Sequence, residues 1–203
     1  MSISQPSEPL RIVTRSSALA LRRVELVLEA LRADDPEIAT ELITIRTGGD
    51  DVSAGPQWRD DGPGFFTAEI EQSLVRGDVD VAVHSLKDLP VELWSQTELA
   101  AVLPRADPRD VVVDRFHGGL ANLPTGARVG TSSLRRRAQA LARRPDLHVV
   151  DLRGNIPARV RRVDDGDLDA IVIAAAGLER LGCRDRISDR LPLETVVPAA
   201  GPA

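Results

Sequence analysis

The stretch VAVHSLKDLP, residues 81–90, has the pattern of a sheet strand that ends in a charged turn. Apolar residues alternate with polar ones over residues 80–83, as in a β-strand. Pro90 then stops a simple continuation of strand or helix. Lys87 and Asp88 are therefore expected just past the carboxyl end of a strand, where open α/β sheets bind ligands.

Strands and helices are expected to alternate on both sides of this stretch. The hydrophobic spacing predicts strands at 10–14, 41–46, 99–103, 110–114, 127–130, 148–152 and 168–175. It predicts helices at 18–33, 65–76, 134–144, 156–163 and 177–182. This order is typical of the α/β class, with mixed, mostly parallel sheets and flanking helices. The opening pattern of strand, Thr/Ser/Arg turn and helix occurs twice, at 10–32 and 127–144, which indicates two α/β lobes.

Composition limits the class of protein. A chain of 203 residues with 42% hydrophobic and 28% charged residues fits a globular protein of one or two domains. No apolar run is long enough to span a membrane. The single cysteine, Cys183, forms no internal disulfide and fits the cytoplasm. The three histidines show no metal-ligand spacing, and no glycine-rich nucleotide loop is present.

Positive charge is concentrated in the second half of the chain. Residues 128–162 contain ten arginines and two acids, although the whole chain has a net charge of −5. This local excess indicates an anionic ligand. Arginines 137, 143, 144, 161 and 162 are expected on solvated helix faces.

The turns at the helix starts have the chemistry of carboxylate sites. Hydroxyls and backbone N–H groups at a helix N-terminus bind carboxylate or phosphate, and Ser16 or Ser17 is a suitable cap for the first helix. Arginine, which binds carboxylates in a bidentate way, lies in or near these turns at 15, 135, 136, 153 and 159. Asp88 is the best acid for chemistry, because an ionised carboxylate can hold an N–H donor, stabilise a cation or relay a proton. The alternative for Lys87 and Asp88 is a surface ion pair, which contributes little.

At these residues the sequence resembles the porphobilinogen deaminase family, also called hydroxymethylbilane synthases. The matching stretches are 11–17 with 19–21, 81–90, 107–110, 130–136, 152–155, and 174–178 with 180–181. The resemblance implies two lobes like those of type 2 periplasmic binding proteins. The first lobe would comprise residues 8–104 plus about 194–203, and the second would comprise 105–193.

The resemblance also implies roles for individual residues. Asp88 would be catalytic, holding the pyrrole N–H and aminomethyl group of porphobilinogen while ammonia leaves and an azafulvenium-type cation forms. The implied contacts to carboxylates of substrate and cofactor are Arg15, Ser17, Ser85, Lys87, Ser133, Arg135, Arg136, Arg153, Arg159 and Arg180.

Some positions depart from the family pattern. The family has a third domain whose cysteine holds a dipyrromethane cofactor covalently, and we expect this domain to be absent here. Cys183 does not align with that cysteine, so the cofactor would be held without a covalent bond or not used. Gly48 and Pro63 replace an arginine and a lysine of the family. A partner protein could supply the missing domain.

Three other functions remain open from the sequence. The chain could be a shortened paralogue acting on another aminomethyl-pyrrole-like substrate, or a non-catalytic binding module for a small polycarboxylate. A nucleic-acid binder is disfavoured, because aromatic residues for base stacking make up only 2% of the chain and the net charge is negative.

Overall fold

The computed structural model describes residues 8–46 and 67–200. These residues form two compact units, 8–46 with 67–103, and 104–200. Several sequence predictions lie outside the described residues. They are the start of the 65–76 helix, the replacements at Gly48 and Pro63, and the last three residues of the segment 194–203.

The first unit is a three-stranded parallel sheet with helices. Its elements are β1 (Leu10–Arg15), α1 (Ala18–Asp34), β2 (Thr40–Ile45), α2 (Ala68–Val75) and β3 (Val81–Ala82). The strand order is β2-β1-β3, and β1 is paired with both neighbours in the parallel sense. The predicted first strand and its helix, with the helix ending at Asp34, are confirmed.

The two faces of this sheet are covered by different helices. Successive side chains of a strand point to opposite faces, and Ile12 and Val13 follow this rule with no exposed surface. Ile12 lies in a cluster with Val24 of α1, whereas Val13 lies in another with Ile70 of α2. A parallel sheet covered on both faces results.

The second unit is a five-stranded mixed sheet. Its elements are β4 (Asp110–Asp114), β5 (Arg128–Gly130), α3 (Leu134–Arg143), β6 (His148–Val150), α4 (Ile156–Asp164), β7 (Ala170–Ala174), α5 (Ala175–Arg180) and β8 (Asp189–Arg190). The order is β6-β5-β7-β4-β8. β5 is parallel to β6 and β7, whereas β4 is antiparallel to β7 and β8. The α/β class predicted from the alternation of strands and helices is confirmed.

Two features differ from the sequence predictions. Residues 99–103 do not form a strand: Leu99 and Val102 are each half-exposed, and this segment has no ladder partner among the described residues. The segment expected to return to the first lobe, from residue 194, belongs through residue 200 to the second unit. The reason is packing, because Val196 is buried in a core cluster with Val112 of β4.

Gly130 of β5 has a steric role in the second core. A Cβ atom at this position would lie 2.7 Å from Leu168 Cδ1 and 3.2 Å from both Leu152 Cδ2 and Ile171 Cγ2. We predict that Gly130→Ala lowers the free energy of unfolding by about 1–3 kcal/mol, because overpacking forces the neighbours to move. Urea unfolding followed by circular dichroism measures this.

A double variant provides the control. Leu168→Ala removes the nearest obstructing methyl group, so the cost of adding Gly130→Ala should be smaller in that background. An equal cost in both backgrounds would show that the contact with Leu168 does not explain the effect.

Candidate functional site

In the first unit, two turns meet at the carboxyl edge of the sheet. β1 and β3 are adjacent and parallel, with Val13 opposite Ala82, so their carboxyl ends lie side by side. The buried Thr14 Oγ1 donates a hydrogen bond to the carbonyl of Val83 at 3.0 Å. This pairing places at one edge of the sheet the two turns that contain the predicted site residues of the first unit, namely Arg15, Ser17, Ser85, Lys87 and Asp88.

Local hydrogen bonds fix both turns. Ser17 is the N-cap of α1, and its Oγ accepts a hydrogen bond from the Ala20 N–H at 3.3 Å. After β3, residues Leu86–Asp88 form one turn of 3₁₀-helix, closed by the Asp88 N–H donating to the Ser85 carbonyl at 2.9 Å. Ser85 is buried and Asp88 is half-buried. The half-buried Asp88 carboxylate is thus held on a short, defined turn.

His84 is the titratable group most changed by this environment. Burial lowers the pKa of His84 to about 4, and the charges of Arg23 and Arg15 act in the same direction, while Asp88 opposes them. The buried His84 Nε2 has no hydrogen-bond partner within the part of the chain that the structure describes. Sequence patterns do not distinguish His84, since it is one of three scattered histidines.

In the second unit, the turns after β5 and β6 also meet at a carboxyl edge. The Thr131 N–H donates to the Val150 carbonyl at 3.0 Å. Ser132 Oγ donates to the Leu152 carbonyl and accepts from the Leu152 N–H, the latter at 3.1 Å. The two turns are therefore joined to each other by hydrogen bonds.

Capped helices start from both turns. Ser133 Oγ accepts from the Arg136 N–H at the start of α3, and Asn155 Oδ1 accepts from the Ala158 N–H at the start of α4. Arg135 and Arg136 therefore lie in the first turn of α3, and Arg159 lies in the first turn of α4. Their guanidinium groups add to the positive end of each helix dipole.

Asp110 holds two of the predicted anion-binding arginines. It opens β4 opposite Ala174, the last residue of the antiparallel β7, and it is 2% exposed. Arg135 Nη1 lies 2.6 Å from Asp110 Oδ2, and Arg136 Nε lies 2.9 Å from Asp110 Oδ1. Sequence reasoning missed this role, although an acid at the start of the apolar run Val111–Val113 was a visible signal.

The other predicted arginines of this unit, Arg153, Arg159 and Arg180, are half-buried. Arg159 Nε donates to the Gly154 carbonyl at 2.6 Å, and burial together with the charge of Arg136 lowers its pKa. Arg153 is half-buried and makes no ion pair with the residues that the structure describes. Burial also lowers the pKa of Arg180, at the end of α5. Partly desolvated guanidinium groups of this kind suit a carboxylate ligand.

The prediction that Arg144 lies on a solvated helix face is wrong. The Nη atoms of Arg144 donate to the carbonyls of Leu120, Ala121 and Leu123, and its Nη2 atom lies 2.6 Å from Asp146 Oδ2. Arg143, by contrast, is exposed as expected.

Other kinds of site have little support. Cys183 is half-buried, with Sγ 3.5 Å from the Leu181 carbonyl. Within residues 8–46 and 67–200, no group of three His, Cys, Asp or Glu side chains could hold a metal ion. None of the helices in these ranges has the length and apolar character needed to cross a membrane.

We predict that His84 stays neutral at pH 5–6, since burial disfavours its charged form. An NMR titration of the histidine Cε1–H resonances should give His84 a pKa of about 4, against the usual 6.5. Asp88→Asn should lower the pKa of His84 further, because it removes a carboxylate whose negative charge raises that pKa. Titration near 6.5, or no response to Asp88→Asn, would contradict the arrangement of this turn.

Solved structures share the fold at low sequence identity. The extracellular-binding protein YtmK from Bacillus subtilis aligns with a TM-score of 0.53 and 14% identity, covering 94% of this chain and 80% of its own. The methionine-binding protein MetQ aligns with a TM-score of 0.52 and 15% identity, covering 92% and 79%. The predicted fold, that of type 2 periplasmic binding proteins, is confirmed.

Sequence relatives are much closer. Porphobilinogen deaminases from Syntrophomonas wolfei and Bordetella parapertussis are 47% and 50% identical over 95% and 96% of this chain. The chain spans 63% and 62% of the length of these relatives. Residues 10–203 match the family described as "Porphobilinogen deaminase, dipyromethane cofactor binding domain". The chain therefore belongs to the porphobilinogen deaminase family.

Proposed function

We propose that this chain carries the substrate-binding and catalytic groups of a porphobilinogen deaminase, a transferase of tetrapyrrole biosynthesis. The observation that carries the proposal is the position of Asp88, on a short turn at the carboxyl edge of the first sheet, where the turn that contains Arg15 and Ser17 also lies. Family membership supports the same role for this residue.

The arginines would bind the acetate and propionate groups of porphobilinogen. Arg153 and Arg159 have no carboxylate partner among the described residues. In a partly dry site, a bidentate arginine–carboxylate contact is both strong and directional. Arg135 and Arg136 share one carboxylate, that of Asp110, so this group of three keeps a net positive charge. Ser133 adds a hydroxyl at the same helix start.

Asp88 would act on the aminomethyl group. The aminomethyl nitrogen, protonated as ammonium, takes the electron pair of the C–N bond and leaves as ammonia, and the pyrrole ring with its methylene carbon keeps the positive charge. The Asp88 carboxylate stabilises that cation and accepts a hydrogen bond from the pyrrole N–H. A C–C bond then forms to the α-carbon of an acceptor pyrrole, which loses its proton.

The family's dipyrromethane cofactor fits the side chains that bind carboxylates. Guanidinium groups without a carboxylate partner and capping hydroxyls are suitable donors for its acid side chains. When bound, it supplies the acceptor carbon of the first condensation. Cys183 packs against the hydrophobic core of the second unit and is poorly placed to anchor the cofactor. We therefore propose that the residues described here hold the cofactor without a covalent bond.

The chain spans 62–63% of its relatives' length, and we propose that further sequence, in a longer form of this chain or in a partner protein, completes the enzyme. A related carboxylated aminomethyl-pyrrole is the alternative substrate. We propose the cytoplasm as its location, supported by a single cysteine that cannot form an internal disulfide.

We predict that Asp88→Asn reduces ammonia release from porphobilinogen by about 100-fold or more, because the amide cannot stabilise the developing cation as a carboxylate does. The assay measures ammonia with and without added dipyrromethane. The matched control is Asp34→Asn, which removes an exposed carboxylate at the far end of α1. The control should keep full activity.

Two outcomes would contradict this function. If the unmodified protein binds porphobilinogen but releases no ammonia, the chain is a binding module. If Asp88→Asn and Asp34→Asn retain equal activity, Asp88 is not the catalytic carboxylate.

A further inference from the structure

Gln139 of α3 binds the backbone of the C-terminal segment 192–200. The Val197 N–H donates to Gln139 Oε1 at 2.6 Å, and Gln139 Nε2 donates to the Val197 carbonyl at 3.1 Å. Only one orientation of the side-chain amide satisfies both bonds, because its oxygen must face the N–H and its nitrogen the carbonyl. This paired contact holds the backbone N–H and carbonyl of one residue, Val197, in a defined position.

The same carbonyl also binds Arg135. Arg135 Nη1 donates to the Val197 carbonyl and, at 2.6 Å, to Asp110 Oδ2. Residues 135 and 139 are one helical turn apart and therefore lie on the same face of α3. Gln139 and Arg135 thus converge on one acceptor, and Gln139 also reaches the Arg135 carbonyl at 3.4 Å.

The segment has other attachments that do not involve Gln139. Val196 is 3% exposed in the core, and its N–H donates to the Pro192 carbonyl at 2.8 Å. Arg105 donates to the Ala199 carbonyl at 3.1 Å. Val197 is 66% exposed, so the hydrogen bonds of its backbone N–H and carbonyl, and not burial of the residue, hold the carbonyl in place. Loss of Gln139 should therefore loosen one carbonyl without detaching the segment.

We propose that Gln139 is a positioning residue for the Arg135 guanidinium, acting through the Val197 carbonyl. Arg135 Nη1 donates one hydrogen to Asp110 Oδ2 and the other to the Val197 carbonyl, so this nitrogen is held by two acceptors. With both acceptors in place, Arg135 presents its remaining N–H groups in one direction. This inference rests on the proposed function, in which Arg135 binds a carboxylate of porphobilinogen.

The first test is a double-variant cycle in the Asp88→Asn protein, where turnover is suppressed. Gln139→Met keeps the side-chain volume and helix propensity but removes both hydrogen bonds. It should weaken porphobilinogen binding about 5- to 10-fold by calorimetry, as expected for one lost hydrogen bond. In the presence of Arg135→Met it should have no further effect. The control Gln72→Met, at an exposed position of α2, should change nothing.

The second test does not depend on porphobilinogen. In the ligand-free protein, the Arg135 Nε–Hε NMR resonance should broaden or exchange faster in Gln139→Met and stay unchanged in Gln72→Met. An unchanged Arg135 resonance, an unchanged affinity, or an equal loss of affinity with and without Arg135 would overturn the inference. If the parent protein does not bind porphobilinogen at all, the proposed function fails, and the NMR result alone decides the role of Gln139.

Discussion

The buried carboxylate of Asp110 is the interaction on which the second unit's site depends. A buried charge is costly unless it is paired and hydrogen-bonded, and Asp110 is paired with both Arg135 and Arg136. Burial lowers the pKa of Arg136, and the attraction of Asp110 opposes that shift. The start of α3 is therefore bound to the start of β4, and its arginines keep a fixed direction.

Parallel strand pairing provides the rest of the geometry. In both units, two adjacent parallel strands bring the turns that follow them to one sheet edge. Each unit then caps a helix with serine, Ser17 in the first and Ser133 in the second. The units differ in their chemistry, because the first presents the half-buried Asp88 and the second presents an excess of guanidinium groups. The proposed reaction needs both a carboxylate that stabilises a cation and guanidinium groups that donate hydrogen bonds to the carboxylates of the substrate.

Local features of the sequence predicted most of this fold. The serine caps, the strand before Asp88 and the buried strand Asp110–Asp114 all follow from short-range patterns. Long-range contacts could not be predicted in this way: Asp110 is 25 residues from Arg135, and the sheet order, in which β7 lies between β4 and β5, has no local signal. Arg144 was assigned to solvent for the same reason, since its acceptors lie 21–24 residues earlier. Residues 99–103 have the composition of a strand but find no partner strand in the described structure.

The central claim is that guanidinium groups at the carboxyl edge of the second sheet bind the carboxylates of a pyrrole substrate. The most direct measurement is an NMR titration of Asp88→Asn protein with porphobilinogen, following the arginine Nε–Hε resonances. We expect the Nε–Hε resonances of Arg153 and Arg159 to shift saturably with a common dissociation constant, while that of the exposed Arg143 does not respond. Absence of shifts at Arg153 and Arg159, or an equal shift at Arg143, would contradict it.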